Sequence, residues 1–227
     1  MGGIADRIPR SEFAATYDLP DWRILLHSIE SWFVAPTFPA GAAFLAAVAD
    51  AAEAVDHHPD LALRYPGRVL VRLTSHDAHG LTARDAALAA SISALAATEG
   101  LTSEPRAGER LEVAIDALDI DLVRPFWRAV LAYEEAQPWA EGGIVDGLSD
   151  PHGIGPAFWF QQMDAARPQR NRIHLDVIVP EDEVADRIAT ALAAGGTLLT
   201  DEHAPAFWVL ADPEGNEACL CTWQGRD

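Results

Sequence analysis

Between Ala40 and Val55 apolar side chains recur at helical spacing, and Phe44, Val48, Ala51 and Val55 fall on one face of a predicted α-helix. Pro59 disfavours helical geometry in the residue before it, so this helix must end short of the proline. The pattern then switches to period two. Leu61–Tyr65 and Arg68–Ser75 read as strands, and Pro66–Gly67 turns the chain between them. A second helix is predicted over Leu81–Ala97, opened by Thr82 and Asp85 in capping-box spacing and burying Leu88, Ile92 and Leu95. Upstream, Asp21–Val34 reads as strand and carries the aromatics Trp22, Trp32 and Phe33.

The periodicity lapses between Ala97 and Arg110, a stretch with two glycines and a proline. It divides the chain into a domain over 1–98, a linker over 99–110 and a domain over 111–227. Beyond the break, a strand-then-helix pattern occurs twice, in Arg110–Glu134 and in Arg170–Gly196. Each is followed by short strands, Ala157–Met163 after the first and Ala206–Trp223 after the second. Two βαβββ units in tandem are a repeat architecture.

Composition narrows the function classes. Apolar residues make up 49% of the 227 positions and charged residues 22%, the balance of a globular protein. The formal net charge is −19 and no local basic patch interrupts it, so nucleic acid is not an expected partner. Arg is used throughout and Lys is absent. The opening residues lack the apolar core of a secretory signal, and Asp6 stands where a myristoylation motif needs Ser or Thr. No apolar run approaches the roughly 20 residues that span a bilayer, so no membrane association is expected. Cys219 and Cys221, two apart, would share one strand face without forming a disulfide framework; a cytoplasmic location fits.

Against this acidic background, His57, His58, His76 and His79 account for four of the eight histidines. They could be solvated helix-end and turn residues, with imidazolium at the negative end of a helix and Asp85 only a cap. A metal site fits poorly. Adjacent His57 and His58 point in different directions, His76 and His79 are three apart across a loop, and no cysteine is near. No Ser or Cys sits in an elbow-like context, which argues against a nucleophilic triad. Proton transfer suits imidazoles, whose ordinary pKa lies near neutrality. Glu53, four residues before His57, would share its face on a continuing helix and could fix its tautomer.

Taken together, these residues resemble a known family. Glu–x–x–x–His–His–Pro, an aromatic residue, Ser–His near a strand end and Gly–Leu–Thr–x–x–Asp resemble the pattern of the pterin-4a-carbinolamine dehydratases. The pattern here is Glu53, His57, His58, Pro59, Tyr65, Ser75, His76, Gly80, Leu81, Thr82 and Asp85, with Trp22 and Phe44 upstream. The likeness spans about residues 18–98, and one extra residue between Tyr65 and His76 is absorbed at Pro66–Gly67. It implies an α+β domain, an antiparallel sheet with helices on one face. It also implies dehydration of a 4a-hydroxytetrahydropterin to quinonoid dihydropterin. Hydroxide leaves poorly, so the 4a-oxygen must be protonated as its bond breaks, and a ring N–H must lose a proton. Both tasks suit imidazoles, with no cofactor and no metal. The resemblance makes His57 and His76 the acid–base pair, in an order that stays open. His58 would bind or assist, Glu53 would orient His57, and Asp85 would support His76. Trp22 and Tyr65 would be substrate-binding or orienting aromatics. The implied partners are a pterin substrate, an aromatic amino acid hydroxylase pathway and further copies of the chain in a homo-oligomer.

The tandem βαβββ units, with "HLDV" beside "DPEGN", resemble the vicinal-oxygen-chelate or glyoxalase-like superfamily over about residues 110–224. Metal-binding members place His or Glu at four strand positions. This chain offers His174, Glu112, Cys219 in place of Glu, and Gln161 or Gln162. An amide and a thiol in place of carboxylates make a poor site for a hard divalent ion, so no catalytic metal is expected. A weak soft-metal site through His174 and Cys219 stays open. Phe158, Trp159, Phe207 and Trp208 could line a ligand cleft or form core. The alternative function is therefore a small-molecule-binding glyoxalase-like protein whose first domain is a dimerisation scaffold. A regulatory partner is the third reading.

Overall fold

The computed structural model describes residues 6–105, 108, 110–136, 147–166 and 173–224. The chain divides into two compact units, the first ending at Arg110 and the second starting at Leu111.

In the first unit, helix α1 (Arg10–Thr16) precedes a hairpin of β1 (Arg23–Leu25) and β2 (Ser28–Val34). Helix α2 (Phe38–Ala54) leads to a second hairpin, β3 (Asp60–Arg64) and β4 (Arg68–Leu73). Helix α3 (Ala83–Thr98) and the short β5 (Thr102–Ser103) complete the unit. The antiparallel sheet runs β1-β2-β4-β3, with β5 also on β2. Alternation along β4 separates the faces. Val69, Val71 and Leu73 are buried with Phe44 and Val48 of α2 and Ile92 of α3, while Arg68, Leu70 and Arg72 are only half-buried. Glu30, also buried, accepts from Arg72 Nε at 3.0 Å and Arg110 Nε at 2.8 Å.

Four details depart from the sequence reading. Asp21–Val34 is not one strand, because Leu26 takes a left-handed conformation (φ 55°) and turns β1 back on β2. Helix α1 was not expected; it buries only Phe13, so it carries almost no apolar periodicity. The stretch expected to be a linker begins inside the first unit, since Leu101 is buried in its core and β5 pairs with β2. Val55 is 59% exposed, because α2 ends at Ala54 and Val55 caps it.

The second unit repeats one plan. Strand β6 (Glu112–Ala117), helix α4 (Ile120–Leu131), β7 (Glu134–Glu135), β8 (Gly147–Ser149) and β9 (Ala157–Gln162) form the first module. The second consists of β10 (Leu175–Ile178), α5 (Val184–Ala193), β11 (Thr197–Thr200), β12 (Phe207–Ala211) and β13 (Glu217–Cys221). In each sheet the first and last strands are parallel neighbours, giving the orders β6-β9-β8-β7 and β10-β13-β12-β11. One core joins the modules, with Phe126, Trp127 and Phe158 packed with Leu210 and Leu220. Gly196 follows α5 where Phe126 lies so close that a Cβ would sit 2.4 Å from its ring. No helix among the described residues is long and apolar enough to cross a membrane.

The "DPEGN" turn ties the modules together. Buried Asp212 accepts from Trp127 Nε1 at 2.9 Å, from the Glu214 and Asn216 amides at 2.9 Å and from Asn216 Nδ2 at 2.8 Å. Glu214 accepts from the amides of Leu118 and Asp119 at the start of α4, at 2.8 and 2.7 Å. Hydrogen bonds to a charged acceptor contribute roughly 1.5–3 kcal/mol, and orphaned buried donors cost about as much again. Asp212→Ala should therefore destabilise the second unit by about 3 kcal/mol or more. Hydrogen exchange should quicken in its peptides and not in those of the first unit; unchanged protection around Trp127 would refute this account.

Candidate active site

The end of α2 decides where the two adjacent histidines go. Asp56 adopts a left-handed conformation (φ 50°), its amide donates to Glu53 O, and the His57 amide donates back to Ala52 O at 3.1 Å. This paired closure ends the helix and reverses the chain. His57 is carried inward and is 6% exposed, while His58 stays outside at 57%.

Asp85 is the inward partner. Its side chain is fully buried, and Oδ1 lies 2.9 Å from His57 Nε2. Oδ2 accepts from the Thr82 amide and from Ser75 Oγ, both at 2.8 Å. Thr82 and Asp85 close the capping box of α3, so the carboxylate also faces the positive end of a helix. A carboxylate offers acceptors only, so each of these neighbours donates to it. Oδ1 thus accepts a hydrogen bond from the Nε2–H of His57, which leaves Nδ1 as the ring position able to accept a proton.

Two expected pairings are corrected. Glu53 does not orient His57; its carboxylate lies 2.9 Å from His58 Nε2 on the surface. The expected pairing assumed a helix running through His57, and the left-handed Asp56 breaks that continuity. Asp85 is bonded to His57, not to His76. His76 is exposed in a short 3-10 turn, His76–Ala78, directly after Ser75. Through Ser75 and His57 the one carboxylate gathers both histidine segments.

The two aromatics lie elsewhere. Trp22 is buried, donates from Nε1 to Ser93 Oγ at 3.0 Å and packs edge-on to Phe33, so it is a core residue. Tyr65 is 87% exposed at the β3–β4 turn. The five residues of β3 separate it from His58 by roughly 16 Å at about 3.3 Å per residue. His27 was not singled out from sequence, yet its carbonyl accepts from Thr74 Oγ1 at 2.9 Å, one residue before Ser75. Its only sequence signal was a polar residue inside an apolar run.

In the second unit, the four strand positions considered from sequence do not form one ion site. Glu112 pairs with Ala157 and Gln161 with Asp116, so the two lie four residues apart along adjacent strands, roughly 13 Å at about 3.3 Å per residue. Gln162 donates to the carbonyls of Leu118 and Met163. Only His174 and Cys219 converge, and their third neighbour is Asp176. Burial first, then Asp176, pushes the Cys219 thiol up to about 11. Phe158 is core, whereas Trp159, Phe207 and Trp208 are half-buried. A cleft of about 700 Å³ is lined by β6 residues, Trp127, His174 and the "DPEGN" turn.

With this geometry in place, known proteins can be compared. The family model Pterin 4 alpha carbinolamine dehydratase matches residues 6–95. A Chloroflexus aurantiacus protein provisionally named pterin-4-alpha-carbinolamine dehydratase is 51% identical over 73 residues, covering 32% of this chain and 77% of its own. The chain belongs to the pterin 4 alpha carbinolamine dehydratase family. The membership rests on the first unit, which holds the His57–Asp85 pair. An Acidobacterium capsulatum protein with the same provisional name is 42% identical over 92 residues, 40% of this chain and 99% of its own. A crystal structure of a transcriptional coactivator/pterin dehydratase from Brucella melitensis is 29% identical, covers 40% of this chain and 98% of its own, and has a TM-score of 0.36. The glyoxalase-like domain model matches residues 112–221, so the chain joins a dehydratase-family unit to a glyoxalase-like one.

The two carboxylates should differ sharply on substitution. Removing a buried acceptor orphans its donors at roughly 1–3 kcal/mol each, about 3 kcal/mol or more for Asp85, and an exposed pair contributes at most about 1. Asp85→Ala should destabilise the first unit by about that larger amount in urea unfolding, while Glu53→Gln should shift it by less than about 0.5 kcal/mol. Equal effects would contradict the assignment of Asp85 as the organising group.

His27 supplies a pH test. Burial, then Arg10 and Arg7, hold its pKa below the usual histidine value. The unfolded chain therefore gains this proton first, at about pH 6.5, and the folded unit only at lower pH. Its contribution is fully present above that value and is lost as pH falls towards the folded pKa. The stability advantage of wild type over His27→Gln should shrink between about pH 7 and 5; a constant difference would refute it.

Proposed function

We propose that the first unit dehydrates a 4a-hydroxytetrahydropterin to the quinonoid dihydropterin and water, in support of pterin recycling. The observation that carries this reading is that one buried carboxylate, Asp85, is bonded both to His57 and to the residue preceding His76. An imidazolium gives its proton to the 4a-oxygen as the carbon–oxygen bond breaks. A neutral imidazole takes the proton from the ring nitrogen, whose electron pair forms the new C=N bond. Water leaves and no electrons are exchanged. Two imidazoles in opposite protonation states suffice, because the free imidazole side chain changes charge near neutral pH. His57, held by Asp85 through Nε2, is positioned as one member, and exposed His76 as the other. His58, outside and paired with Glu53, serves binding more than proton transfer.

A second reading is supported by the cleft of the second unit. Its volume of about 700 Å³ lies in the range of small-molecule sites, which supports binding of an organic ligand there.

The first reading is tested by following dehydration of synthetic 4a-hydroxytetrahydropterin by the full chain. His57→Ala and His76→Ala should each lower kcat by about 10²-fold or more, the usual scale for a positioned acid or base. His58→Ala should raise KM more than it lowers kcat. A wild-type chain no faster than the uncatalysed reaction would overturn the proposal, as would near-normal kcat in both of the first two variants.

A further inference from the structure

Strand register brings together three metal-ligating side chains in the second unit. Strands β10 and β13 are parallel, and Asp176 and Cys219 are register partners. Partners on adjacent strands project to the same side of a sheet, and so does a residue two positions along. His174, two before Asp176, thus joins them. One ligand atom from each lies within 4.8 Å of the other two, and His174 Nε2 is 3.3 Å from Asp176 Oδ1. Neither Glu112 nor any other His, Cys, Asp or Glu among the described residues belongs to this group.

We propose that His174, Asp176 and Cys219 bind a borderline-soft divalent cation, with zinc as the best fit. An imidazole nitrogen, a carboxylate oxygen and a sulfur are all zinc donors, at bond lengths of about 2.0–2.3 Å. A tetrahedral ion with those bonds sets its donors roughly 3.3–3.7 Å apart, so from separations of up to 4.8 Å each pair must close by about 1.5 Å at most. The sulfur disfavours magnesium and calcium, which take oxygen donors. Binding is a proton exchange. The Cys219 S–H proton leaves to solvent, the sulfur's electron pair forms the bond to the metal, and no electrons are transferred. Asp176 and Glu217 both oppose a bare thiolate at Cys219, and the same negative field attracts a dication. Three protein donors leave a fourth position open, and His174 also lines the cleft, so an ion here borders the space where a small ligand would sit. The donor set depends on Asp176 and excludes Glu112 and the glutamines considered from sequence. It is independent of the dehydratase reading of the first unit.

The test uses the full chain, purified without a histidine tag and titrated with zinc and, separately, with cobalt(II) as a spectroscopic probe. The expected result is one ion per chain and a near-ultraviolet thiolate-to-cobalt absorption band. Cys219→Ser should abolish the band, while Cys221→Ser and Glu112→Gln should leave it intact. Losing even an outer partner of a ligand costs about 10–100-fold in affinity, so Asp176→Asn should weaken zinc binding by at least about tenfold. Excess magnesium should not compete. Absence of stoichiometric zinc binding by the wild-type chain would overturn the proposal. So would a cobalt complex with no thiolate band, or a band that survives Cys219→Ser. Loss of binding in Glu112→Gln with retention in Asp176→Asn would return the site to the strand positions rejected here.

Discussion

A carboxylate with no solvent exposure must find its hydrogen-bond donors within the protein. Asp85 meets that constraint by drawing on three parts of the first unit at once: the start of α3, Ser75 just beyond β4 and His57 in the turn after α2. The histidine segments lie side by side because they answer one acceptor. The carboxylate that closes the cap of α3 through Oδ2 also holds His57 Nε2 through Oδ1, so fold and chemistry share one acceptor. The arrangement places the reactive groups just beyond the ends of regular elements. There the backbone can turn, while the elements behind hold the turn in place.

The second carboxylate of the motif shows how position decides what a charged pair contributes. Glu53 and His58 are as close as Asp85 and His57, at 2.9 Å, yet both are more than half exposed. Water competes for each group, and the pair adds little to stability. Glu30 illustrates the opposite limit on the other side of the sheet. It is 3% exposed and holds Arg72 and Arg110 together. A chain of net charge −19 thus spends several of its few cations on buried or half-buried acids, where an unpaired charge would cost most.

Much of this architecture was legible before any coordinates. The capping box at Thr82 and Asp85, the strands either side of Pro66–Gly67 and the tandem βαβββ order all rest on local patterns, and local patterns survive folding. What failed needed information about chain direction at a single residue. The Glu53–His57 pairing followed from helical spacing, and one left-handed residue, Asp56, cancelled it. Trp22 illustrates a different limit: an aromatic near a site in sequence is more often core, and its indole N–H found Ser93, 71 residues away. Tyr65 sits at the far end of a hairpin, a separation evident only once the register of β3 and β4 is known.

The same limit shaped the reading of the second unit, with a different outcome. Sequence analogy weighed four positions one at a time, and their separation along β6 and β9 could not enter that assessment. Strand register removes Glu112 and Gln161 as joint ligands and adds Asp176, which analogy had no reason to select. Asp176 was visible as a residue but not as a neighbour of Cys219, because 43 positions separate them and only the parallel pairing of β10 with β13 closes that gap. Whether a donor counts is therefore decided by the sheet. Two residues of unremarkable type become a site when their strands run parallel in this register, and a shift of one residue would turn Asp176 or Cys219 to the opposite face.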